Sequence, residues 1–211
     1  MIRRDESLEY HGGHRAGKIE LRATKPCLTA RELSLAYLPG AAFACEAIAA
    51  EAEAAFRYTA RGNLVAVVTN GSAVPGLGDI GPRAAKPMQE GLAVLLKRLS
   101  DIDVFDLELD THDPDRFVET VRLLEPGFGA IVLKDIRATE GLSIHERLGA
   151  LLNIPVLHEN LQSTAVVAVA ALSNALDLVD KAVSAARVVI CGAGTVGIGC
   201  ARLFRRLGVS P

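Results

Sequence analysis

The chain has 211 residues, 50% of them apolar and 23% charged, with a net charge of −2 and no Trp. That length suits one large domain or one and a half ordinary ones, and a near-neutral chain without a Lys/Arg run lacks the electrostatic footprint of a nucleic-acid binder. Aromatic residues make up only 4% of the chain, so the core has to be built from Val, Leu, Ile and Ala.

Cys27, Cys45, Cys191 and Cys200 are scattered in apolar stretches and form no CxxC pair. They are expected to be small buried hydrophobes rather than zinc or redox ligands. The opening MIRRDESLEYHGGH has no apolar h-region, which argues against a secretory signal. The apolar stretch from Ala165 to Leu178 is interrupted by Ser173, Asn174 and Asp177, short of the uninterrupted run of about 18 apolar residues that a membrane span requires. A cytoplasmic protein with no membrane or nucleic-acid partner is expected.

Residues 1–30 are polar, with Pro26 as a breaker, and are expected to wrap the surface; the HGGH at His11–His14 reads as a mobile or tag-like segment before it reads as a metal pair. Glu32 to Ala55 favours helix, broken at Pro39-Gly40. Asn63–Thr69 is a β-branched run ending in the turn signal Asn70-Gly71, and a further strand is expected over Ser72–Val74. Pro82–Leu99 reads as a helix with Pro82 in its first turn. In Asp101–Asp110 acidic and apolar residues nearly alternate, the mark of a half-exposed strand with a solvated acidic face. Asp113-Pro114 starts a helix to Leu124, Gly129–Leu133 is a strand, Ser143–Leu152 a helix, Ile154–Leu157 a strand and Gln162–Val179 a long helix. A strand at Arg187–Cys191 and a final helix complete the pattern. Strands alternating with helices predict an α/β fold with a mostly parallel sheet, with a domain boundary near residues 157–162.

GxGxxG occurs twice, as Gly76, Gly78 and Gly81 in PGLGDIGP and as Gly192, Gly194 and Gly197 in CGAGTVGIG. A dinucleotide site needs a strand before the loop and a helix after it, so that the helix N-terminus meets the pyrophosphate. Only the second copy has that context. The ribose-binding acid expected about 20 residues further on would lie beyond Pro211. The first copy could cradle a small carboxylate at a helix start.

The segments GKIELRATKP, RELSLAYLPG, YTARGNLVAVVTNGSAV, GLGDIG, DIDVFDLELDTHDPDRF, LEPGFGAIVLKDI, ERLGALLNIPVLHEN and CGAGTVGIGCARLF together resemble the bacterial NAD(P)-dependent malic enzymes. The resemblance implies an N-terminal malic-enzyme-type domain over residues 1–160, with a mostly parallel sheet, followed over 161–211 by an incomplete Rossmann-like βα unit. It implies oxidative decarboxylation of malate to pyruvate and CO2, with NAD or NADP and a divalent Mg2+ or Mn2+, in an oligomer.

Carried over by residue, the family's acid is matched by Tyr37 in AYLPG. Of two lysines in its GKPVMEGK segment, Lys86 keeps the first and Leu92 replaces the second, the family's base. The metal-ligand stretch reads Leu133-Lys134-Asp135-Ile136, keeping Asp135 but putting a cation where a carboxylate is usual. The stretch His158-Glu159-Asn160 has an amide where the family has a ligating Asp. Mg2+ and Mn2+ favour anionic oxygen, and a like charge at about 4 Å costs on the order of 4 kcal/mol at an effective dielectric of about 20. Metal binding is therefore expected to be badly weakened unless Lys134 turns out to solvent. The candidate site residues are Tyr37 and Lys86 for catalysis, Asp135 for metal, and Gly192, Gly194 and Gly197 for the nucleotide. The expectation is a truncated chain of impaired or absent activity. Its alternatives are an inactive paralogue acting as a partner subunit of a full-length malic enzyme, or a non-functional remnant; a homo-oligomer, or a mixed oligomer with a relative, is expected.

Overall fold

The computed structural model describes residues 2–210. Its elements are α1 (Arg4–Gly12), α2 (Ala30–Ala36), α3 (Gly40–Ala50), α4 (Ala55–Tyr58), β1 (Leu64–Thr69), α5 (Pro82–Ser100), β2 (Asp103–Glu108), α6 (Pro114–Leu124), β3 (Ala130–Leu133), α7 (Ala138–Leu151), β4 (Val156–His158), α8 (Glu159–Leu178) and α9 (Thr195–Leu207), with short 3-10 turns between some of them.

The β-branched run at Leu64–Thr69 becomes one of the two inner strands of a four-stranded, all-parallel sheet of order β2-β1-β3-β4. Alternate residues of β1 serve opposite faces. Ala66 and Val68 join Ile131 and Leu133 in a core with Phe117, Val118 and Val121 of α6 and Ile144 and Leu148 of α7. Helix α5 packs on β1 and β2 with Ala85, Gln89 and Ala93 buried along one stripe. Both α5 and α6 open with Pro in the first turn, and Asp113 caps α6 by accepting from the backbone N–H groups of Asp115 and Arg116. Helix α8 leaves β4 without a linker and packs along α9.

Several expectations are corrected. Ser72–Val74 is not a strand but part of a loop with a single bridge between Val74 and Gly78. Its backbone is committed elsewhere: Ser72 N–H donates to Asn70 Oδ1, and Ala73 N–H to the Asp135 carbonyl. Residues 187–191 are irregular, and Val189 is 94% exposed; no strand among the described residues lies beside this run to form a ladder. The polar N-terminus contains α1. Helices α7 and α8 begin earlier than their apolar patterns suggest, and β4 starts two residues later and ends one residue later than its apolar run. Of the cysteines only Cys200 is buried; Cys27, Cys45 and Cys191 are exposed.

Candidate functional site

In open parallel sheets, ligands bind beyond the carboxyl ends of the strands, where the strand order reverses. Here that point lies between β1, whose next strand in sequence pairs on one side, and β3, which pairs on the other. The chain segments leaving these strands are Thr69–Asn70–Gly71 and Lys134–Asp135, with His158–Glu159 one strand further along. Buried polar residues gather at this end of the sheet: Thr69, Asn70, Ser72, Lys134, Asp135 and His158, joined by Gln89 from α5.

The segments are tied to one another. Thr69 Oγ1 accepts from Gly71 N–H at 2.9 Å, Asn70 Oδ1 accepts from Ser72 Oγ at 2.7 Å, and Asn70 Nδ2 donates to the Thr111 carbonyl at 3.1 Å. Arg137 N–H donates to Ser72 Oγ at 2.9 Å. Gly71, at a φ of +67°, has the Gly81 carbonyl oxygen only 2.2 Å from where a Cβ would stand, so the approach of the first glycine loop admits no side chain there.

Asp135 is fully buried in the left-handed region, at a φ of +54°. One carboxylate oxygen accepts from Gln89 Nε2 at 2.8 Å. The other has no hydrogen bond and faces Lys134 Nζ at 3.4 Å. Lys134 is 6% exposed and donates to Glu159 Oε2 at 2.8 Å; it does not turn out to solvent. A divalent cation does not fit this donor set, because an ammonium already stands between the two carboxylates. Among the described residues no three His, Cys, Asp or Glu side chains group as a metal centre.

Lys86 is held by two carboxylates from β2, Asp106 Oδ2 at 2.7 Å and Glu108 Oε2 at 3.1 Å. Partial burial pulls its pKa down, but the hydrogen bonds and negative charge of Asp106 and Glu108 outweigh it and hold the ammonium above the ordinary lysine range. Burial pushes Glu108 up, against the hydrogen bond from Lys86. The acidic face of β2 is thus not wholly solvated as its alternation predicts: Asp106 is buried on Lys86, and Asp103 alone is half open, with Lys97.

Tyr37 stands at the C-cap of α2, 75% exposed, on a helix that packs against α3. The structure therefore brings Asp135 together with Lys134, Gln89 and Glu159, and Lys86 with Asp106 and Glu108, and leaves Tyr37 at the surface of this single chain. Gln89 and the ion pair of Glu159 with Lys134 are not apparent from the sequence. The available signal for Gln89 was a polar side chain on the otherwise alanine-lined stripe of α5.

The second glycine loop leads into α9, with Gly194 as its N-cap. A Cβ on Gly197 would lie 2.1 Å from the Gly192 carbonyl oxygen, so the turn requires glycine there.

Residues 16–113 match the malic enzyme N-terminal domain and residues 161–210 the malic enzyme NAD binding domain. The chain belongs to the malic enzyme family. It is 47% identical over 206 residues to an NADP-dependent malic enzyme of Rhizobium meliloti, covering 98% of this chain and 27% of that protein. It is 46% identical over 209 residues to the bifunctional malic/malolactic enzyme of Bacillus subtilis, covering 99% and 51%. The crystal structure of malic enzyme from Pyrococcus horikoshii superposes with a TM-score of 0.96 at 40% identity, covering 99% of this chain and 48% of that one. The chain thus spans between a quarter and a half of the length of these malic enzymes.

Proposed function

We propose that this chain carries the substrate domain of a malic enzyme, acting on malate or a pyruvate-like carboxylate, and that its oxidative decarboxylation chemistry is impaired. The state of Lys86 carries this reading. Dehydrogenation at C2 of malate needs a group to take the hydroxyl proton, and a useful lysine base has its pKa lowered towards the working pH. Leu92 can accept no proton, and Lys86, the remaining lysine of the segment, is held protonated by Asp106 and Glu108. Its role here is to neutralise two carboxylates beneath the site and fix α5 on β2.

NAD or NADP, when bound, would accept the hydride from C2. Its pyrophosphate would be held by Gly192, Gly194 and Gly197 through the free N–H groups at the start of α9. Tyr37 would serve as the acid for the enol carbon only where something encloses it. Leu33, Leu35, Leu38 and Phe43 are also exposed around it, which supports an assembled state.

The protein, supplied with malate, Mn2+ and either nucleotide, is expected to give nicotinamide absorbance at least about a hundredfold more slowly than an intact relative, the scale of a missing general base. A rate equal to the relative's would reject the reading.

A further inference from the structure

Lys134 comes from a strand end, directly before Asp135, and a lysine there would ordinarily extend into solvent. Instead its side chain is more than nine-tenths buried and lies against two carboxylates, Glu159 Oε2 at 2.8 Å and Asp135 Oδ1 at 3.4 Å. The Asp135 oxygen on that side has no hydrogen-bond donor, so its only compensation is the ammonium charge. The second carboxylate oxygen is fixed by Gln89, which holds Asp135 in a rotamer facing the lysine. The nearby Arg137 is engaged with Asp79 and Glu140 and leaves the pair to Lys134.

We infer that Lys134 is a resident cation: its ammonium holds the place between Asp135 and Glu159 that a divalent ion would need, and supplies the pair with a cation without metal. The inference rests on the family reading for the expectation of a metal, and on this ion cluster for its replacement. Entry of Mn2+ would require the ammonium to leave two carboxylates, one fully buried, or to remain beside a like charge. Either route disfavours the ion strongly in a site of low effective dielectric. The same geometry predicts that replacing the ammonium by a third anionic oxygen donor opens the site, since hard divalent ions are bound by carboxylate clusters.

The test is a Mn2+ titration followed by electron paramagnetic resonance, with no malate or nucleotide present, on the natural chain, Lys134→Glu and Lys134→Gln. The natural chain is expected to bind at least about a hundredfold more weakly than Lys134→Glu, with Lys134→Gln between them. Mn2+ should raise the thermal midpoint of Lys134→Glu and leave that of the natural chain unmoved. One tight Mn2+ site on the natural chain would overturn the inference. So would Lys134→Glu and Lys134→Gln both folded by circular dichroism and both binding no better than the natural chain. Should neither variant fold, the natural chain decides alone: stoichiometric micromolar binding overturns the inference, and no binding up to millimolar Mn2+ upholds it. Because turnover is not read, the outcome is independent of whether malate is oxidised.

Discussion

His158 closes β4 fully buried, with neither ring nitrogen hydrogen-bonded. Its ring lies 6.2 Å from that of His145, and Nε2 is 2.7 Å from where a Cβ on Gly141 would stand. Burial, then the proximity of His145, pushes its pKa down from 6.5 to about 4, against the pull of Glu159. The folded chain keeps this imidazole neutral while the unfolded chain protonates it near 6.5. The stability it contributes is therefore fully present above pH 6.5 and is lost as pH falls from 6.5 towards 4, by up to about 3 kcal/mol. Urea unfolding across that window should show the decline, and His158→Gln, which has no proton to gain, should show a shallower one. Parallel slopes for the two proteins would mean that the ring is protonated in the folded state. At this scale the sequence could expose Lys134 as an odd cation beside Asp135, because those residues are contiguous. It could not expose Gln89 on Asp135 or Lys86 on Asp106, because those contacts exist only once α5 lies on the sheet.

Helices α8 and α9 cross closely enough that a Cβ on Gly199 would lie 2.0 Å from the Leu161 carbonyl oxygen. A backbone atom cannot rotate away as a side-chain tip can, so Gly199→Ala should force the pair apart, at the 1–3 kcal/mol or so typical of overpacking. Hydrogen exchange is expected to accelerate along α9 and the neighbouring α8 turn while β1 and β3 keep their protection. Unchanged protection in α9 would show that the crossing is looser than this geometry. Gly199, two residues past the glycines of the nucleotide loop, thus serves packing, and the elements around it show what pattern reading can reach. Strand β1 and helices α5 and α6 were legible because their side-chain periods coincide with local start signals, a β-branched run, a first-turn Pro and an Asp cap. Residues 187–191 have the composition of a strand but, among the described residues, no neighbour to pair with, and composition reports burial tendency rather than partnership. Helix α1 carries no such signal, because it buries nothing and has no apolar stripe.

Across the molecule, the sheet core is closed by α5 on one face and α6 and α7 on the other, whereas the N-terminal helices present apolar side chains outward. Helix α3 buries none of its residues, Phe43 is 70% exposed, and Leu33, Leu35 and Leu38 are exposed beside it. Folded chains that remain monomeric rarely display such a contiguous apolar surface. Residues 30–50 have the length and hydropathy of a membrane span, but Pro39 divides them into two helices packed on each other, a shape suited to a protein partner. A second copy of the chain is the simplest occupant, because a two-fold interface lets one apolar patch cover its own equivalent. Tyr37 lies within the patch, so association would enclose the one candidate acid that a single chain leaves in solvent. Light scattering after gel filtration is expected to give twice the chain mass. Leu35→Glu combined with Phe43→Glu should return the mass of one chain, since each buried charge opposes association by about 2 kcal/mol or more. Both positions are already exposed, so far-ultraviolet circular dichroism should not change. A natural chain that elutes as a monomer at the same concentration would remove self-association as the explanation for this surface, and with it the means of sheltering Tyr37.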